Sequence, residues 1–144
     1  MRLIARDEKD LEVVSAALQD ALLTVGEMTY LPKQNRFAMV FNRFMWEEMG
    51  PKKLLGTQLY KRVKAGLHFD GVLNAAVQNI LLERKEGVLN LLSIDFQPED
   101  EGSGVIQLHF AGGGTVRLDV ECLEASMQDL GEPWTTKNRP DHGD

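Results

Sequence analysis

A chain of 144 residues with 43% hydrophobic content and a formal charge of −6 has the size of one ordinary domain, long enough to bury roughly 70% of its unfolded surface. No apolar run reaches the roughly 18 residues of a membrane span, and the opening Met1-Arg-Leu-Ile-Ala-Arg-Asp7 is too short for a signal peptide, so a cytoplasmic protein without membrane contact is expected. The acidic balance argues against nucleic acid as a partner, the single cysteine (Cys122) excludes a disulfide framework, and with only three histidines neither a metal nor another cofactor is expected.

Along the chain, Leu3 and Ile4 read as a short strand, and Asp7 caps a helix whose apolar stripe is Leu11, Val14, Leu18 and Ala21, ending near Asp20. Asp7, Glu8, Asp10 and Glu12 lie at its N-terminus, where the helix dipole favours acids. Leu22 to Leu31 reads as a strand interrupted at Gly26, and Pro32 to Arg36 as a turn. From Arg36 to Trp46, Phe37, Met39 and Phe41 share one phase while Phe44 and Trp46 take the other. The slip at Asn42-Arg43 fits either a β-bulge, which would turn one of these two sideways, or a strand buried on both faces near one end.

Residues 47 to 56 read as a loop. Gln58 to Phe69 alternates plainly, with Leu59, Val63, Leu67 and Phe69 inward and Tyr60, Arg62, Lys64 and His68 outward. Asp70-Gly71 signals a hairpin, yet Val72, Leu73, Ala76, Val77, Ile80 and Leu81 also make a helical stripe; strand is the preferred reading. Val88 to Phe96 is a strand and residues 97 to 104 an acidic turn. The run Phe110-Ala-Gly-Gly-Gly-Thr-Val116 closes a hairpin pairing Phe110 with Val116, Leu108 with Leu118 and Ile106 with Val120, all on one face. Leu123 to Leu130 reads as a short helix stopped by Gly131, with Trp134 packing back and residues 135 to 144 a disordered tail. The expectation is a single α+β domain over residues 1 to 134. About seven mostly antiparallel strands form a curled sheet or split barrel, covered by an N-terminal and a short C-terminal helix in a pleckstrin-homology-like arrangement by analogy.

Charge is uneven: residues 1 to 32 sum to −3, residues 33 to 64 to +6 and residues 65 to 144 to −9. The basic island motivates a non-catalytic binding module in which Arg62, Lys64 and His68, joined by Arg43, meet an acidic protein surface or a small anion. His109, placed opposite Arg117 and beside Gln107 and Asp119, adds a second polar patch. The alternative is an enzyme acting on a small metabolite through His68 with Asp70, or His109 with Asp119, as an acid-base pair. Cys122 falls in the apolar phase of Val116, Leu118 and Val120 and reads as a buried, inert thiol. The glycine triplet leads into a strand, whereas a phosphate loop leads into a helix. A sheet of this size leaves an open edge, so a second copy of the chain is also named as a partner. Asp10 to Asp20 and Asp119 to Asp129 share five residues in register, read as chance.

Several blocks together resemble a family of small bacterial proteins known only as a domain of unknown function: Asp10-Leu-Glu-Val-Val-Ser-Ala-Ala-Leu-Gln-Asp-Ala21, Tyr30-Leu-Pro32, Asn42-Arg-Phe-Met-Trp-Glu47, Leu89-Asn-Leu-Leu-Ser-Ile-Asp-Phe96 and Phe110 through Ala125, with Trp134. The resemblance covers nearly the whole chain and implies no activity, cofactor or catalytic residue.

Overall fold

The structure, a computed structural model, describes residues 1–48 and 60–136. The strands are β1 (Arg2–Ala5), β2 (Leu22–Thr24), β3 (Met28–Leu31), β4 (Arg36–Phe44), β5 (Tyr60–Phe69), β6 (Val72–Gln78), β7 (Val88–Pro98), β8 (Gly104–Phe110), β9 (Thr115–Val120) and β10 (Ala125–Thr136), and the helix is α1 (Glu8–Ala17). They form one antiparallel sheet in the order β1-β10-β5-β4-β2-β7-β8-β9-β6, with β3 also on β4. The joint between its halves is narrow: Leu22 of β2 pairs with Asn42 of β4 on one side and with Asn90 of β7 on the other. Because the sheet curls, residues of both halves and of α1 share one core, including Leu11, Val14, Phe41, Leu67, Leu91, Leu108, Leu118 and Met127.

The Asp7 carboxylate accepts the Asp10 amide at 2.8 Å and starts α1. Ser15 Oγ accepts the Ile94 amide at 2.9 Å, pinning α1 to β7 where that strand shifts register against β8. Asp70-Gly71 closes no hairpin, since β5 pairs with β4 and β10 while β6 pairs with β9. With φ +69° at Gly71, this corner carries the chain from one half of the sheet to the other.

Several expectations are corrected. Among the described residues there are ten strands rather than about seven, partly because Leu22 to Leu31 splits around a turn at Val25–Glu27 into β2 and β3, both on β4, of which β2 alone also pairs with β7. No C-terminal helix forms: Ala125 to Thr136 is β10, so the pleckstrin-homology-like analogy loses its closing helix. Helix-like spacing of Leu123, Met127 and Leu130 hid a period of two, in which Leu123, Ala125 and Met127 are all buried. Gly131 is not a helix stop but part of a bulge that shifts register between Leu130 and Trp134, the setting where strands tolerate glycine and proline. Trp134 stays 40% exposed. The unrelated folding of 10–17 as helix and 125–129 as strand leaves their shared residues a coincidence.

The glycine hairpin forms with the expected face but pairs Leu108 with Val116 and Ile106 with Leu118. That is an even slip, which preserves inward and outward sides, and the turn tightens as the Phe110 amide bonds the Gly114 carbonyl at 2.8 Å. Cys122 is exposed, beyond the end of β9, rather than buried. The bulge considered for Asn42-Arg43 is absent: β4 and β5 pair without a break from Phe37 with Phe69 to Phe44 with Arg62. Phe44 is buried on the opposite face from Phe41, so the strand is covered on both sides at this end. Most of the expected 47–56 loop, Lys52, Lys53 and the tail from 137 onward lie outside the described residues.

Candidate functional site

Arg43 continues the inward phase of Phe37, Met39 and Phe41 and is fully buried. Its counterpart is Asp129, which continues the inward phase of Ala125 and Met127 on β10, two strands away. Both reach across the small Ala65 of β5, which pairs with Phe41 on one side and with Asp129 on the other. Arg43 Nε and Nη2 donate to Asp129 Oδ1 and Oδ2 at 2.7 and 2.8 Å. Nη1 and Nη2 donate to the Glu47 carboxylate at 3.0 and 2.7 Å, and Nη1 also to the Phe44 carbonyl at 3.1 Å. All five guanidinium N–H groups are thereby used.

Asp129 Oδ2 also lies 3.0 Å from the Met1 ammonium, and the Asp129 amide donates to the Met1 carbonyl, so the network ties the N-terminus to β10. Burial alone would lower the Arg43 pKa, but the hydrogen bonds it donates to Asp129 and Glu47 outweigh that and raise it. Burial pushes the Asp129 carboxyl up, while the Arg43 and N-terminal hydrogen bonds bring it net below its ordinary value. Hydrogen bonding to Arg43 holds Glu47 low as well. Arg43 is therefore a structural cation with no donor left for a ligand.

Arg62 is in the opposite situation. It lies on the outer face of β5, paired with Phe44 on β4 and Trp134 on β10. Its guanidinium carbon sits 4.2 Å from the centre of the Phe44 ring, whose other neighbour is Trp46 at 5.7 Å. Nε and Nη2 are shielded from solvent and have no hydrogen-bond partner among the described residues, and this desolvation lowers the Arg62 pKa. Lys64 follows on the same face, exposed, beside Leu130, which is 42% exposed.

His68 closes this row of β5, but its Nδ1 stands 3.3 Å from Asp70 Oδ2 without hydrogen-bond alignment, and Asp70 Oδ1 accepts Arg36 Nε at 2.8 Å. The His68/Asp70 pair is thus brought together, on a partly exposed corner. The His109/Asp119 pair is not. His109 faces Thr115, and its Nε2 binds Asp95 Oδ2 at 2.7 Å across β7, while Asp119 meets Arg117 at 3.3 Å. The register slip explains this, since it moves Arg117 opposite Gln107. Asp95 borders a depression of about 90 Å³ with Glu8, Leu11, Glu12, Ile94 and Phe96; a larger one of about 480 Å³ is lined by residues 83 to 87. Neither histidine lines either of them.

Sequence reasoning missed Asp129, Glu47 and Asp95. Asp129 was visible as the fourth member of the alternation from Leu123; Glu47 and Asp95 gave no signal above that of other surface acids. Among the described residues no cluster of histidine, cysteine and carboxylates is placed to hold a metal ion, and no helix is long and apolar enough to cross a membrane. No curated protein and no solved structure shows significant similarity to the chain. One family profile does match, over residues 1–142, and the chain belongs to that family, the proteins of unknown function grouped as DUF2948.

Proposed function

We propose that the protein is a binding module whose outer face on β4, β5 and β10 receives a carboxylate-rich segment of another protein, with Arg62 and Lys64 as the contacts. The observation that carries this reading is that Arg62 Nε and Nη2, shielded from solvent, have no hydrogen-bond partner among the described residues. Leaving buried N–H groups of a cation without acceptors costs on the order of 1–3 kcal/mol, in a chain that satisfies every donor of Arg43. A carboxylate that displaces the groups shielding Nε and Nη2 would supply the missing acceptors, and the Phe44 ring, 4.2 Å from the guanidinium carbon, backs the cation on one side. Exposed Trp134 and Leu130 flank the two cations with apolar surface, the combination that concentrates binding energy at interfaces. Arg43 has no part in it, and His109 and Arg117 lie in the other half of the sheet with carboxylate partners of their own.

Fluorescence anisotropy with a labelled decaglutamate peptide tests this reading. The full chain should bind and weaken with salt, and the Arg62→Gln/Lys64→Gln double variant should lose roughly ten- to a hundredfold, as two charge-assisted contacts imply. Equal binding by the two proteins, or none by the wild type, refutes it. Among the described residues neither depression is lined by His68 or Asp70, so a catalytic reading on that pair finds no support there.

A further inference from the structure

Among the described residues β6 ends the path of strands and pairs with β9 alone, its first residue Val72 also bonding Asn35 and Tyr30. An edge strand presents unpaired N–H and C=O groups along its open side, and proteins blunt such edges with shortness, charge or proline. The other edges here follow that rule. β1 has four residues and carries Arg2, and β3 has four and runs into Pro32.

β6 has seven residues, and from Val72 to Leu82 the chain contains no charge and no proline, although its 26% charged content would place about three charges in such a stretch. Ala75 and Val77 face the core but are only partly buried at this open side. Leu73, Leu81 and Leu82 are 57%, 55% and 45% exposed.

We infer that β6 pairs antiparallel with β6 of a second copy of this chain, joining two sheets about a two-fold axis. Such self-pairing sets each side chain against one from the same strand, so any charge would stand near its own like. A strand free of charge meets no such penalty, whereas a charged foreign segment finds no counter-ion on it. With the axis beside Ala76, Asn74 lies opposite the partner's Gln78, and both amides can donate and accept. The small Ala76 lets the two backbones approach. A seven-residue strand is about 24 Å long, which with the three leucines gives an interface at the small end of the specific range and a dissociation constant on the order of micromolar.

Sedimentation equilibrium of the full chain at about 100 µM, well above such a constant, should give twice the 16.2 kDa of one chain. Ala76→Lys, at a position exposed in the single chain, should give one chain's mass and, at a concentration well below the dissociation constant, the wild type's thermal melt. In a Cys122→Ser background, diamide oxidation should convert Ala76→Cys into a covalent dimer and leave Arg2→Cys, on the far edge, monomeric. The cross-link decides the question should the lysine variant fail to fold. A monomeric wild type at that concentration, a dimer untouched by Ala76→Lys, or equal cross-linking from both cysteines overturns the inference.

Discussion

Replacing Asp129 with alanine removes two short hydrogen bonds from Arg43 and one of the two carboxylates that neutralise it, while the guanidinium stays fully buried. Breaking a buried ion pair from one side costs about 3–5 kcal/mol. Glu47 remains bidentate, and Asp129 itself is 12% exposed, so the lower end applies, about 3 kcal/mol. For a domain of this length that lowers Tm by roughly 6–12 °C. Glu47→Ala, at a side chain 34% exposed, should cost only about 1 kcal/mol because solvent screens it. The Arg43→Met/Asp129→Leu double variant removes charge from both sides and should return to within about 1 kcal/mol of wild type. Urea unfolding followed by circular dichroism reads all three. A cost for Asp129→Ala below that of Glu47→Ala, or a double variant as unstable as the single one, would refute the assignment of Arg43 as a buried, fully paired cation.

The same network sets an acid limit. Asp129 and Glu47 both have folded pKa values below their ordinary 3.8 and 4.5, so their stabilisation is complete above those values and is lost as pH falls through the lower folded ones. The midpoint of urea unfolding should fall between pH 5 and pH 2 more steeply for wild type than for Arg43→Met/Asp129→Leu. Arg62→Met should change the unfolding free energy by no more than about 1 kcal/mol, since the cation it removes gives up the Phe44 ring contact but no hydrogen bond, and a loss above about 2 kcal/mol would show an unrecognised partner. Gly104→Ala should cost at least about 2 kcal/mol, because its Cβ would lie 2.5 Å from the Gln97 carbonyl oxygen and from the Phe96 ring. Gly113→Ala, in open space at φ +91°, should cost only the roughly 1–2 kcal/mol of left-handed strain; thermal melts rank the two.

Most of the elements were legible because binary pattern and turn chemistry agree in them: the Asp7 cap, the alternation of Val63, Leu67 and Phe69, and the glycine hairpin. One ambiguity and one misreading share a physical cause. Arg43 breaks the apolar run after Phe41, which left a bulge and a doubly buried strand both open, and Asp129 breaks the run after Met127, which led to a helix, where two straight alternations carry the two ends of one buried ion pair. A charge in a core phase looks like a phase error until its partner is known, and the partner lies 86 residues away. The hairpin register failed differently, since hydrophobic alternation fixes only parity and leaves even slips open. On the candidate site, Arg62 and Lys64 were visible as an outward basic pair. That one is partnerless while Arg43 is saturated depends on neighbouring strands, which no local pattern encodes.

The fold divides its basic island: Arg43 is sealed inside with every donor used, while Arg62, whose Nε and Nη2 have no acceptor among the described residues, is the cation we propose for a carboxylate partner. Amide and indole NMR spectra of the labelled full chain, titrated with the acidic decapeptide, separate the two. Saturable shifts are expected at Arg62, Lys64, Leu130 and the Trp134 indole, with Arg43 and Asp129 unmoved. Shifts centred on Arg43, or confined to Arg36 and His68, would overturn the proposal.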